Sequence, residues 1–241
     1  MATDTQAGDS KADSWLDASK SNAWTDLALV LPIFLGYHLG VVLLQVRNAA
    51  DVVTTRLIGF AESNIMIYWG ITLAVGAGMV AILMVLGRGH AFDAKRFVLV
   101  MLEGVAYAML MRLAAAYVVG SLPLGPPTWS PWAGVVMSLG AGFYEEVAFR
   151  VGLFGLGALA IRAVFGGLPK LVATIGWAVV AAAVFAGWHY VGALGDPFDV
   201  RSFVFRAVCG LVLTAIFVFR GFAPAVWTHA LYDVWALALA H

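Results

Sequence analysis

The chain has 241 residues, of which 62% are hydrophobic and only 12% are charged. A soluble domain is nearer half apolar and a quarter charged, so this composition excludes an ordinary soluble protein and indicates a polytopic membrane protein. The net charge of zero argues against a nucleic-acid partner. The single cysteine, Cys209, excludes an intrachain disulfide.

The amino-terminal segment and the apolar runs that follow it predict the architecture. Residues 1–26 are rich in Asp, Ser, Ala and Lys, so we expect a flexible polar tail without a cleaved signal peptide. A helix needs about 20 residues to cross a bilayer. The remaining sequence therefore predicts a single transmembrane domain over 27–241, an all-α bundle of about seven spans. The apolar runs lie at 27–46, 64–86, 97–119, 132–160, 171–191, 203–219 and 223–240.

Proline and glycine mark the breaks between the runs. The four prolines between Leu122 and Pro131 cannot continue a helix. Weaker breaks are predicted at 166–169, 195–197 and 221–224. Lys and Arg are more frequent in the amino tail and in the loops near 87–96, 161–170 and 220 than in the alternate connections. This bias predicts a cytoplasmic amino terminus.

Two adjacent carboxylates and a guanidinium interrupt the fourth apolar run. Each charge at the centre of a bilayer costs roughly 2.5–3.5 kcal/mol on insertion scales. Glu146 and Arg150 are four residues apart, the spacing at which a carboxylate meets a guanidinium on one helix face. Glu145 would point about 100° away from Glu146 and have no partner on its own helix. A structural ion cluster explains Glu146 and Arg150, but it leaves Glu145 without a role.

Two later runs contain histidines. His189 follows Phe185 by four residues near the end of the fifth run, and His229 precedes Asp233 by four residues in the seventh. Taken alone, each has a structural explanation, as an interfacial histidine or as a polar pair within a helix bundle. A carboxylate at this spacing can also orient an imidazole for proton transfer.

Together the three patterns are more specific than any one of them. A Glu-Glu-x-x-x-Arg, a Phe-x-x-x-His and a His-x-x-x-Asp follow one another on three apolar helices. This order resembles the CPBP family of CAAX prenyl endopeptidases and bacteriocin-processing or immunity-associated intramembrane proteins. The resemblance covers roughly residues 130–240, and it departs at Asp233, where many CAAX proteases have asparagine. It implies a glutamate-dependent intramembrane endopeptidase without a metal or an organic cofactor.

The resemblance also implies catalytic roles. Glu145 and His189 would activate a water for attack on a peptide carbonyl, since a carboxylate among apolar side chains is a stronger base than one in water. His229 and Asp233 would bind the oxyanion side. An ionised Asp233 cannot donate a hydrogen bond, so it would have to be protonated or act through His229.

The remaining implied residues support the site. Arg150 would hold Glu146 in place, and Phe185 belongs to the same set. The implied partners are the lipid bilayer and a membrane-anchored peptide or protein. The sequence does not choose among a leader, a sorting signal and a lipidated tail. We expect an integral membrane protein of the bacterial inner membrane.

Alternative functions remain open at this point. Glu145, His189, His229 and Asp233 include the nitrogen and oxygen ligands of a zinc protease, although the sequence has no His-Glu-x-x-His helix. Intramembrane Glu, His and Asp also occur in proton relays, so a proton-coupled transporter is an alternative, although no repeated halves are visible. A non-catalytic or immunity-type membrane protein is a further alternative.

The shared site requires an unusual geometry. The fifth and seventh helices should run in the same direction. At roughly 1.5 Å per residue, His189 lies about 27 Å along its helix from Leu171, whereas His229 lies about 9 Å from Ala223. The two rings can meet only if the seventh helix begins deep in the bundle, or if the fifth helix is displaced or broken. We therefore predict that the break at 221–224 is buried.

Overall fold

The computed structural model describes residues 23–44, 46, 48, 50, 65–86, 94–119, 130–192 and 195–239. Within these ranges every regular element is a helix, and the helices follow the apolar runs of the sequence. The prediction of an all-α bundle is therefore confirmed. In chain order the helices are α1 (Ala23–Leu44), α2 (Ile65–Leu86), α3 (Ala94–Val119), α4 (Pro131–Val164), α5 (Gly167–Trp188), α6 (Val200–Arg220) and α7 (Phe222–Val234).

Four of these helices are long and apolar enough to cross a membrane, namely α3 over Phe97–Ala114, and α4, α5 and α6 over their whole lengths. Shorter apolar stretches, Leu27–Val41 and Ile65–Gly78, lie in α1 and α2. The protein is therefore an integral membrane protein, and seven spans is an approximate figure. The helix α1 begins at Ala23, inside the predicted tail. The first turn belongs to the helix because its carbonyl oxygens accept hydrogen bonds from the N–H groups of the apolar residues that follow.

The start of α4 agrees with the predicted proline break. Ser130 is the amino-terminal cap, and its hydroxyl accepts a hydrogen bond from the N–H of Ala133 at 3.3 Å. Pro131 occupies the first turn, where its missing N–H has no cost. The prolines at 123, 126 and 127 lie outside the described residues.

The middle of α4 is a π-helix, which the sequence does not predict. The α-helix Pro131–Gly140 continues as a π-helix over Ala141–Gly155 and returns to α-helix over Leu156–Val164. A π-helix bonds residue i to residue i+5 and therefore turns less per residue than an α-helix. Neighbouring side chains then diverge by less than the 100° step of an α-helix. In this segment both adjacent carboxylates, Glu145 and Glu146, approach His229 on α7.

The helix α7 is the most enclosed element of the bundle. Its Ala223, Val226 and Ala230 form a core cluster with α1 and α3, whose members are Leu29, Val30, Ile33 and Val100. Gly221 separates α6 from α7 with φ 102°, a left-handed conformation that favours glycine. Ala223 and Pro224 are buried, whereas Gly221 and Phe222 are half-buried, so the second half of the predicted break lies inside the bundle.

The helix α3 holds the break before α7 in place. Arg220, the last residue of α6, donates to both carboxylate oxygens of Glu103, with Nη2 at 3.0 Å from Oε2. The neighbouring Gly104 lets α7 approach closely, since a Cβ there would lie 3.2 Å from Cβ of Trp227. The same turn of α3 therefore contacts the chain on both sides of Gly221.

The packing of α7 against the π-helix depends on Gly142. A Cβ at this position would lie 2.7 Å from Ala230 Cβ and 2.9 Å from the carbonyl oxygen of Val226. We predict that Gly142→Ala lowers the free energy of unfolding by about 1–3 kcal/mol, because the backbone of α7 must move. The measurement is the thermal unfolding of the purified protein in detergent.

The matched control is Gly176→Ala on α5, where an added Cβ meets nothing within 4 Å. This variant should be stabilised by about 0.5–1 kcal/mol, because alanine replaces glycine inside a helix. Equal unfolding temperatures for the two variants would contradict the packing of Gly142 on α7.

Candidate active site

A cavity of about 250 Å³ opens between the π-helix of α4, the end of α5, α6 and α7. It brings together the four residues that the sequence predicts as catalytic, Glu145, His189, His229 and Asp233. Their convergence follows from the buried start of α7. The other polar residues of its lining include Asn48 and Arg206, and apolar side chains such as Phe185, Met111 and Leu213 complete the wall.

Glu145 lies at the centre of this group. It is buried, and its Oε1 accepts a hydrogen bond from Asn48 Nδ2 at 3.1 Å. Its Oε2 makes no hydrogen bond to the described residues. This oxygen lies 3.9 Å from Nε2 of His189 and 3.9 Å from Nε2 of His229. Such distances are too long for direct hydrogen bonds, but they suit a bridging water.

His189 follows the last residue of α5, and one hydrogen bond fixes its tautomer. Nδ1 lies 3.0 Å from the carbonyl oxygen of Phe185. A carbonyl can only accept, so Nδ1 carries a proton and donates it. In the neutral ring Nε2 therefore presents its lone pair towards Glu145. This nitrogen can accept a proton from a water between the two side chains.

His229 has carboxylates at both ring nitrogens. Nδ1 lies 2.7 Å from Oε1 of Glu146, and Nε2 lies 3.5 Å from Oδ2 of Asp233. A ring with a proton on each nitrogen can donate in both directions. Glu146 on α4 binds the ring at Nδ1. Asp233 lies one turn further along α7, the helix that also contains His229, and faces Nε2.

Glu146 and Arg150 form the buried ion pair that their spacing predicts. Arg150 Nη1 lies 3.1 Å from Glu146 Oε1, and both side chains are almost fully buried. The guanidinium also stacks on the ring of Phe185, with Cζ 4.3 Å from its centroid. The same ring contacts the imidazoles of His189 and His229 edge-on. Phe185 therefore packs against the ion pair and both histidines.

The sequence did not indicate two polar residues of the cavity. Asn48 belongs to a polar stretch that reads as a loop, and it is separated from Glu145 by 97 positions. No helical spacing connects such distant residues. Arg206 reads as a loop-facing charge near the start of α6, but it lines the cavity and pairs with Asp196 at 2.6 Å.

The cavity can also be compared with a zinc site. Zinc is normally held by nitrogen and oxygen ligands at about 2.0–2.2 Å in a tetrahedral arrangement. Among the residues that the structure describes, no group of three or more His, Cys, Asp or Glu side chains is arranged to hold a metal ion.

The ion pair under the cavity yields a stability prediction. Arg150→Met would leave the charge of Glu146 buried without its guanidinium, and we expect a loss of about 3–5 kcal/mol in the free energy of unfolding. The double variant Glu146→Gln/Arg150→Met removes both charges and should lose less. Thermal unfolding in detergent measures both variants. A double variant that is less stable than the single one would contradict the pairing.

The comparison with known families agrees with this geometry. Residues 127–235 match the family model of the Rce1-like proteins, described as type II CAAX prenyl endopeptidases. Searches of curated proteins and of solved structures gave no match. The matched segment contains the cavity residues of α4, α5, α6 and α7. Over residues 127–235 the chain is therefore similar to the Rce1-like type II CAAX prenyl endopeptidases, a family of membrane-embedded proteases.

Proposed function

We propose that this protein is an intramembrane endopeptidase in which Glu145 activates a water to cleave a membrane-tethered peptide. The observation that carries this proposal is the position of Glu145 Oε2. It is buried at the cavity, makes no hydrogen bond to the described residues, and lies 3.9 Å from Nε2 of each of two histidines. A base in a site shielded from bulk water has the surroundings that such chemistry needs.

The first step is proton transfer with attack. A water held between Glu145 Oε2 and His189 Nε2 gives a proton to the carboxylate as its oxygen bonds to the peptide carbonyl carbon. The carbonyl becomes a tetrahedral oxyanion. The proton is then passed to the amide nitrogen, directly or through His189, as the C–N bond breaks. The products are a carboxylic acid and a free amine, and Glu145 returns to its carboxylate form, so atoms and charges balance.

His229 and Asp233 stabilise the oxyanion. His229 lines the cavity, and its Nε2 lies 3.9 Å from Glu145 Oε2, so an N–H at this nitrogen would donate to the carbonyl oxygen of a substrate bound beside Glu145. Donors of this kind contribute factors of about 10²–10³ in rate. An ionised Asp233 can only accept, so it acts through the His229 proton that it faces at 3.5 Å. Glu146 keeps the other nitrogen occupied and the ring fixed.

The family description supports a lipid-modified peptide as the substrate, because its members are prenyl endopeptidases. The helices around the cavity expose apolar side chains to lipid, so a substrate held in the bilayer by a prenyl group or an apolar segment is brought to the site by its anchor. The bias of Lys and Arg in the connections supports a cytoplasmic amino terminus. The proposed setting, a bacterial inner membrane, follows from the resemblance to bacterial-type members of the CPBP family.

The catalytic assignment is tested with Glu145→Gln, which keeps the shape of the side chain and removes the base. We expect cleavage of a farnesylated CAAX peptide in proteoliposomes, measured by the mass of the products, to fall by about 10²–10⁴-fold. The control is Ser138→Ala on the same helix, whose hydroxyl donates only to the Gly134 carbonyl oxygen and lies outside the cavity. It should cleave like the wild type. Cleavage by Glu145→Gln at the wild-type rate would refute the assignment.

A parallel assay with a peptide anchored by an apolar transmembrane segment tests the substrate class. Cleavage of the farnesylated peptide alone supports a prenylated substrate. Cleavage of the transmembrane peptide alone would refute the prenyl requirement and leave the glutamate mechanism in place.

Chelation separates the glutamate mechanism from the zinc alternative. We expect a strong chelator to leave the cleavage rate unchanged, because the proposed nucleophile is activated by side chains alone. Loss of cleavage that added zinc restores would support a zinc protease instead, since zinc lowers the pKa of its bound water and activates it directly.

A further inference from the structure

Asn48 lines the cavity although it lies outside the segment that matches the protease family. It follows α1 in the chain and is 7% exposed. Three hydrogen bonds determine its position. Its backbone N–H donates to the hydroxyl of Tyr37 at 3.0 Å, and Tyr37 is fully buried on α1. The side chain makes the other two.

The orientation of the Asn48 amide follows from these contacts. Oδ1 accepts from the backbone N–H of Ala50 at 2.7 Å. A backbone N–H can only donate, so the oxygen of the amide must face Ala50 and the nitrogen must face the opposite side. That side is occupied by Glu145, whose Oε1 lies 3.1 Å from Nδ2. The donor in this contact is therefore the amide and the acceptor is the carboxylate.

The contact makes the two oxygens of Glu145 unequal. An N–H directed at Oε1 occupies that oxygen, and Oε2 is left facing the two imidazoles at 3.9 Å. The last torsion of a glutamate side chain is broad, so without a fixed donor the carboxylate would turn. A donor from a buried neighbour keeps one oxygen directed at the water site.

We propose that Asn48 is a positioning residue, which holds Glu145 so that Oε2 acts as the base. The amino-terminal half of the chain is then part of the active site, because α1 and the residues after it supply the donor. This inference rests on the proposed function of Glu145. It adds a requirement that the family match over 127–235 does not contain.

Two substitutions test the role on the farnesylated CAAX peptide. Asn48→Ala removes the donor but keeps the backbone N–H that binds Tyr37. We expect kcat to fall by about 10- to 100-fold with KM unchanged, because a hydrogen bond to a charged group is lost while the substrate contacts remain. Asn48→Asp keeps the shape and the acceptor for Ala50, but it turns an oxygen towards Glu145 Oε1. It should lose more activity than Asn48→Ala at neutral pH.

The pH dependence distinguishes positioning from a structural role. The carboxyl group that Asn48→Asp introduces can donate to Oε1 once it is protonated, so the activity of this variant relative to the wild type should rise as the pH falls. Glu145 is also faced by His189 from α5 and by His229 and Asp233 from α7, with Glu146 and Arg150 beside it on α4. These groups are the same in every variant. The activity of Asn48→Ala relative to the wild type should therefore change less with pH than the activity of Asn48→Asp relative to the wild type.

Several outcomes would overturn the inference. The first is an unchanged kcat in Asn48→Ala, and the second is a rise in the KM of Asn48→Ala alone. The third is an activity of Asn48→Asp relative to the wild type that does not change with pH. Ser138→Ala is the matched control for a lost buried hydrogen bond and should keep its kcat. If Asn48→Ala does not accumulate, Asn48→Asp decides the question, since it retains both backbone contacts. Inactive Glu145→Gln with fully active Asn48 variants refutes this inference and leaves the proposed function standing.

Discussion

The site depends on one buried carboxylate, Glu146. Its Oε1 lies 3.1 Å from the Arg150 guanidinium and 2.7 Å from Nδ1 of His229, so a single oxygen joins α4 to α7. A charge at this depth is tolerated only with a partner and hydrogen bonds. Arg150 compensates the charge, and Phe185 covers the guanidinium from α5 at 4.3 Å. The ion pair is therefore the support on which both histidines are placed.

The second constraint is the depth at which α7 begins. Gly221 allows the chain to turn between α6 and α7 with φ 102°. The contact of Glu103 with Arg220 and the close approach at Gly104 hold that turn against α3. A helix that began at the membrane surface would place His229 about two turns from its entry, far from the end of α5 where His189 lies. Packing between helices therefore determines which residues share the cavity.

The polar residues of the cavity have different surroundings, and this difference separates their roles. Glu146 and Arg150 are enclosed by protein, whereas Glu145 and Asp233 line the cavity. Adjacent carboxylates in the sequence thus have unlike surroundings, which supports the proposal that Glu146 is a support and Glu145 is the base. Both carboxylates lie in the π-helical part of α4, and both approach His229 on α7.

The amino-acid sequence is sufficient to predict the helical class, the breaks, the pairing of Glu146 with Arg150 and the membership of Glu145, His189, His229 and Asp233 in one motif set. The first three rest on local chemistry, because apolar length, proline and four-residue spacing act within one helix. The motif set spans three helices and rests on the resemblance to the CPBP family. Other features arise only when the helices pack. The π-helical turn, the contact of Glu146 with His229 and the amide of Asn48 on Glu145 depend on segments far apart in the chain. Spacing rules predict contacts only between residues of one helix. A buried polar atom, in contrast, forms its hydrogen bond with whichever segment packs beside it.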